Sequence, residues 1–149
     1  MASKKILIGS DHGGFELKSY LIRILNAEGY EVIDKGCNSE DSVDYPVYSA
    51  KVAKAIIAKE APLGILICGT GIGISMAANR FNGVRAGLCT SVEMAELTRL
   101  HNNANILAMG GRTTSKELAK EILEAFLSTE YEGGRHDNRV NMMDNVEEL

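Results

Sequence analysis

The sequence predicts one α/β domain, a parallel sheet of five strands with helices on both faces. Three observations predict it. Short runs rich in Ile, Leu and Val alternate with longer segments of helical period; several runs carry few interior charges, as strands covered on both faces do; and the boundaries between segments carry turn and cap residues. The 149 residues, 45% of them hydrophobic, suffice for one continuous core.

The strand candidates are KKILIGSD (4–11), YEVIDKG (30–36), LGILICG (63–69), VRAGLCT (84–90) and NILAMGG (105–111). Helices are expected over 15–29, 46–61, 72–81, 91–103 and 115–131. Gly29 stands where the first helix should stop and Pro46 where the second should start. Ser91 and Ser115 can each cap a helix, with a Glu following in the first turn. The last 19 residues, 131–149, break the alternation: they are polar, Gly-punctuated and too short for a domain of their own. No internal repeat or low-complexity linker interrupts the chain.

Composition excludes several function classes. A net charge of -4, from 16 Lys and Arg against 20 Asp and Glu, argues against a broad nucleic-acid footprint. The start lacks a signal-peptide layout and no apolar run approaches a membrane span, so no membrane role is expected. Three widely spaced cysteines, Cys37, Cys68 and Cys89, without a CxxC pair, fit a reduced cytoplasmic protein with no structural zinc. Histidines 12, 101 and 136 lie at three separate places with no HxH or HExxH spacing, so no metal site is expected.

Ligands of parallel α/β sheets bind beyond the carboxyl ends of the strands. There the sequence places SDHGG, CGTGIG, CTS and GGRT, and Asp11 and His101 are expected on different loops of that one rim. The loop CGTGIG resembles a phosphate loop but fits none: Gly69, Gly71 and Gly73 are followed by Ile74 where a dinucleotide fingerprint needs glycine, and no Lys follows as in a Walker loop. Asp34, about twenty residues beyond Gly14, could imitate a ribose-binding acid, but DHGG lacks the glycine finger before it. What remains is a nest of backbone N–H groups at a helix N-terminus, suited to a small anion or to charge that develops during a reaction.

Cys68 immediately precedes this nest, where the positive end of a helix beginning near Ile72 favours a thiolate that can act as base or nucleophile; the alternative is a core cysteine at a strand end. Cys37 and Cys89 lack such surroundings. Arg135 and Arg139 are four residues apart, on one face if the tail is helical, and with Arg112 could hold a phosphate; the alternative is an ordinary charged tail.

SDHGG, DYP (44–46), CGTGIG, HNNANILAMGGR (101–112) and GGRHDNRV (133–140) together resemble the B-type ribose-5-phosphate isomerases, a family that includes galactose-6-phosphate and allose-6-phosphate isomerases. The resemblance runs in order over nearly the whole chain. It implies a Rossmann-like three-layer fold, no metal or cofactor, a sugar-phosphate substrate, and a homodimer or homotetramer whose active sites are completed across the interface by tail residues. It also implies aldose–ketose isomerisation of ribose 5-phosphate and ribulose 5-phosphate through an enediolate, with Cys68 as base. Some members use instead a glutamate just after it, where this chain has Ile72 to Ile74. Backbone N–H groups of Gly69, Thr70, Gly71, Ile72 and Gly73, with the Thr70 hydroxyl, would hold the enediolate oxygens. His101 and Asp11 would open the sugar ring; His12, Arg112, Arg135 and Arg139 would hold the phosphate, and Asn102 sugar hydroxyls. Alternatives are an isomerase of a six-carbon sugar phosphate and a non-catalytic nucleotide or sugar-phosphate binder on a flavodoxin-like fold.

Overall fold

The computed structural model describes residues 4–149. Five strands, β1 (Lys5–Ser10), β2 (Glu31–Asp34), β3 (Leu63–Cys68), β4 (Ala86–Leu88) and β5 (Ile106–Gly110), alternate with helices α1 (Phe15–Ala27), α2 (Tyr45–Ile57), α3 (Ile72–Ala78), α4 (Val92–Asn102) and α5 (Lys116–Ser128). All pairings are parallel and the strand order is β2-β1-β3-β5-β4. The expected fold class is therefore observed, with one feature the runs did not reveal. β5 lies inside the sheet and β4 at its edge, so the order is not that of a flavodoxin.

Alternation along each strand divides the core into two layers. Ile6, Ile8, Ile65, Ile67, Leu107 and Met109 face Leu17, Leu21 and Leu25 of α1, Ala95 of α4, and Ile122, Leu123 and Phe126 of α5. Leu7, Leu66, Cys68 and Ile106 face Val52, Ala53 and Ile56 of α2 and Ile74 and Ala78 of α3. Right-handed crossovers require this sorting: connections that move one way across the sheet put their helices on one face, and those that move the other way use the other face.

The cap residues act as the sequence suggests. Ser91 and Ser115 accept from the N–H groups of Met94 and Leu118, both at 3.2 Å, and Pro46 lies in the first turn of α2. Gly29, just past α1, takes φ +85°, a conformation in which a side chain would be strained. Asp34 is committed to the scaffold, since its carboxylate takes both bonds from the buried Lys18 Nζ, at 2.9 and 2.8 Å, and one from the Gly36 N–H. This removes the ribose-binding reading of Asp34.

Residues 131–149 are not irregular. A 3-10 turn (Gly134–His136) leads into α6 (Asp137–Asp144), followed by a second 3-10 turn. Arg85, just before β4, clamps α6 through Nη1 bonds of 2.9 and 3.0 Å to the two oxygens of Asp144. The tail had no strand-helix period to betray it, and one distant ion pair secures it.

Candidate active site

The carboxyl ends of β1, β3 and β5 bring their loops into backbone contact. The Asp11 N–H donates to the Ile67 carbonyl at 3.2 Å, the Gly111 N–H to the Cys68 carbonyl at 2.8 Å, and the Arg112 N–H to the Gly69 carbonyl at 2.9 Å. A Cβ on Gly111 would lie 2.5 Å from the Gly13 carbonyl oxygen, so a side chain here would force the first and fifth loops apart. This convergence lies where the chain order reverses between β1 and β3, the usual ligand crevice of such sheets.

Asp11 is buried, and its Oδ1 accepts from the N–H groups of Gly13 at 2.9 Å and Gly14 at 3.2 Å. Both bonds use one oxygen, which leaves the lone pairs of Oδ2 for a ligand. His12 accepts the Val43 N–H at its Nδ1, 3.1 Å away; in the neutral ring this places the proton on Nε2, which can then donate.

Cys68 ends β3 on the side of α2 and α3, 5% exposed, and its Sγ accepts the Gly71 N–H at 3.2 Å. A donor aimed at sulfur at the start of a helix suits a sulfur that carries negative charge. Gly71 takes φ +80°, and a Cβ there would stand 2.7 Å from the Met109 carbonyl carbon. The Ile72 N–H donates to Thr70 Oγ1 at 3.3 Å. Two of the five expected anion-hole donors, Gly71 and Ile72, thus already serve the loop itself. The Gly73 N–H, in the first turn of α3, has no intrahelical acceptor. Arg112 Nη1 lies 3.2 Å from where a Cβ of Gly69 would stand, which sets the guanidinium over the loop.

The remaining candidates lie elsewhere. His101 and Asn102 are the last two residues of α4, which starts beside the carboxyl end of β4 and returns to the amino end of β5. The 11-residue helix spans about 16 Å. Within one chain, His101 therefore sits at the opposite rim from Asp11 and Cys68, correcting the expectation of a shared rim. The helix direction decides this, and strand-end arguments overlook it.

The tail joins this second rim. The Glu132 N–H donates to the Leu100 carbonyl at 3.1 Å, and the His136 ring stacks on His101 with centroids 4.3 Å apart. Arg135 and Arg139 are exposed and enter none of the ion pairs among the described residues. Two histidines expected at separate places are thus neighbours.

The model of the ribose/galactose isomerase family matches residues 6–143. This chain is a member of that family. The Escherichia coli K12 protein named ribose-5-phosphate isomerase B is 50% identical over 145 residues, 97% of each chain. Solved structures of ribose-5-phosphate isomerase B from Clostridium thermocellum and Thermotoga maritima superpose with TM-scores of 0.95 and 0.93. Their identities are 49% and 52%, and they cover 97% and 95% of this chain and 97% of each of theirs.

In this family member, then, one rim gathers Asp11, His12, the Cys68–Gly73 loop and Arg112, while the other gathers His101, Asn102, Arg135 and Arg139. Sequence reading missed Tyr45, whose ring would meet a Cβ of Gly73 at 2.7 Å and so walls the glycine loop. It also missed Glu132 and His136 beside His101. The Cys-Gly loop shows itself by local pattern, whereas these three meet the site through tertiary contacts. Cys89 is a different kind of cysteine: burial pushes its thiol up to about 11, keeping it neutral in the core.

Proposed function

We propose that this protein interconverts D-ribose 5-phosphate and D-ribulose 5-phosphate in the cytoplasm, with each active site built from two copies of the chain. Membership of the isomerase family supports the reaction. Among the described residues, no helix is long and apolar enough to cross a membrane. The observation that carries the two-copy site is the separation of Cys68 and His101 by the length of α4. A pentose phosphate is shorter than α4, which favours a site that two copies complete.

In this reading the end of α4 and the 131–149 tail of one copy present His101, Asn102, Arg135 and Arg139 to the other copy's Asp11, His12, Cys68 and Arg112. The assembly is a homodimer or a homotetramer made of such dimers. His101 gives a proton to the ring oxygen while Asp11 Oδ2 takes the anomeric hydroxyl proton, and the C1–O ring bond breaks to leave an aldehyde. Cys68 Sγ then removes the C2 proton; the electron pair forms the C1–C2 double bond and the C1 oxygen takes up the charge. The Gly73 N–H in the first turn of α3 and the Thr70 hydroxyl serve that charge. Transfer of the O2 proton to the charged C1 oxygen and return of the Cys68 proton to C1 complete the ketose, with no atom gained or lost. Phosphate binding by the arginines holds the sugar in register.

The test is complementation. Cys68→Ala subunits mixed with Arg135→Ala/Arg139→Ala subunits should regain activity, because one of the two sites in a mixed dimer receives the native cysteine and both native arginines. Verified mixed dimers that stay inactive would show that the tail serves no neighbour.

A further inference from the structure

The second rim holds a cluster to which the isomerisation assigns only one member. Glu132 Oε2 lies 3.6 Å from His136 Nε2 and 4.0 Å from His101 Nε2. One donor atom from each of the three residues falls within 4.8 Å of the others. His136 is 5% exposed, and its Nε2 is buried without a hydrogen-bond partner among the described residues while facing that carboxylate. A buried imidazole nitrogen left this way costs free energy that a ligand would recover.

We infer that His101, Glu132 and His136 form an inhibitory site for a divalent cation of the zinc class. Two imidazoles and one carboxylate are donors for zinc, cobalt or nickel rather than for magnesium or calcium, which require oxygen shells. Metal–ligand distances near 2.1 Å put tetrahedral donors about 3.4 Å apart. The His136–Glu132 separation is close to this already. With the stacked rings only 20° apart in plane, no point within metal–ligand reach of both nitrogens lies in both ring planes, so His101 must turn to ligate. Within its own chain it has room to do so, being 37% exposed at the end of α4, where it would face the cleft between copies, while His136 is fixed by burial. A His101 ring that ligates a cation has left the position from which it protonates a sugar. Arg135 and Arg139 are nearby cations that keep the affinity modest and the inhibition reversible. Cation binding stands independently of the isomerase reading; only the inhibition rests on it.

Chelator-treated wild-type protein is titrated with Co²⁺, followed by its visible absorption, with Zn²⁺ as competitor. The expected result is one ion per chain with the intense bands of a four-coordinate site, retained in Cys68→Ala. Binding should weaken about tenfold or more in Glu132→Gln and in His136→Asn. Glu132 is exposed, so Glu132→Gln folds and carries the test even if His136→Asn does not. Binding unchanged in Glu132→Gln, or lost in Cys68→Ala, overturns the site. Turnover of ribose 5-phosphate is read in the same samples, with slowing by the metal and recovery with EDTA expected. Ions bound at this cluster with turnover unchanged overturn the inhibitory role. Cobalt bands in a protein that shows no turnover even when metal-free would leave the site standing and refute the isomerase reading.

Discussion

The two rims of the sheet are built by different means. At the carboxyl rim, backbone fixes the chemistry: Asp11 is held by two N–H groups, Cys68 by a third, and glycines let three loops touch. At the amino rim, long side chains do the work: His101 is held by stacking on His136 and by the half-exposed Glu132 carboxylate, Arg135 by no ion pair among the described residues, and α6 by the Arg85–Asp144 pair. A reacting group needs fixed placement before substrate arrives, whereas a group that closes over a ligand from another surface needs reach. The difference separates a preorganised rim from one that adapts.

The sharpest way to break this contrast is at the rigid rim. Cys68→Ala should lower kcat by roughly 10²–10⁴ with little change in substrate binding or melting temperature; steady-state kinetics and calorimetry measure both, and a near-native kcat would move the base elsewhere. Gly71→Ala comes next. Its Cβ has no room against Met109 and its φ is +80°, so a stability loss of about 1–3 kcal/mol is expected in denaturant titration, together with most of the activity. An unchanged midpoint would mean that the loop has slack.

The adaptable rim should respond more gently. Asp144→Asn weakens the clamp on α6 and should raise KM for the phosphate-bearing substrate several-fold while kcat falls less, since Arg139 rides on that helix. An equal loss in both constants would make α6 part of the rigid apparatus. The smallest effect concerns Cys89, whose folded thiol is raised from 9.0 to about 11 by burial. The native state then holds its proton more tightly than the unfolded state does. Stability is therefore complete below pH 9 and declines as pH rises from 9 towards 11. Cys89→Ala should flatten that part of the stability curve, and an identical slope in the variant would assign the decline to other groups.

The fold was legible because its signals are local. The unbroken apolar runs in KILIGS and LGILIC, the Ser91 and Ser115 caps and Gly29 each work within one turn or strand. Strand order was not legible, because nothing inside VRAGLCT says that β4 pairs with β5 alone. At the site, CGTGIG and SDHGG could be read from spacing. The placement of His101 could not, since α4 carries it across the molecule, and the tail's course depends on Asp144 meeting Arg85, 59 residues away.

The edge position of β4 also bears on how the chain is made. A ribosome delivers β3, then β4, then β5, yet β4 pairs only with β5 and β5 takes the place beside β3. While residues 86–88 emerge, their future partner is still inside the exit tunnel, and the free edge of β3 is the wrong place for them. The nascent chain must hold that edge open until residue 110 has left the exit tunnel. The sheet therefore closes late and from the inside, and a pause in translation while residues 106–110 are still inside the tunnel would prolong the interval in which β3 can pair with a neighbouring nascent chain.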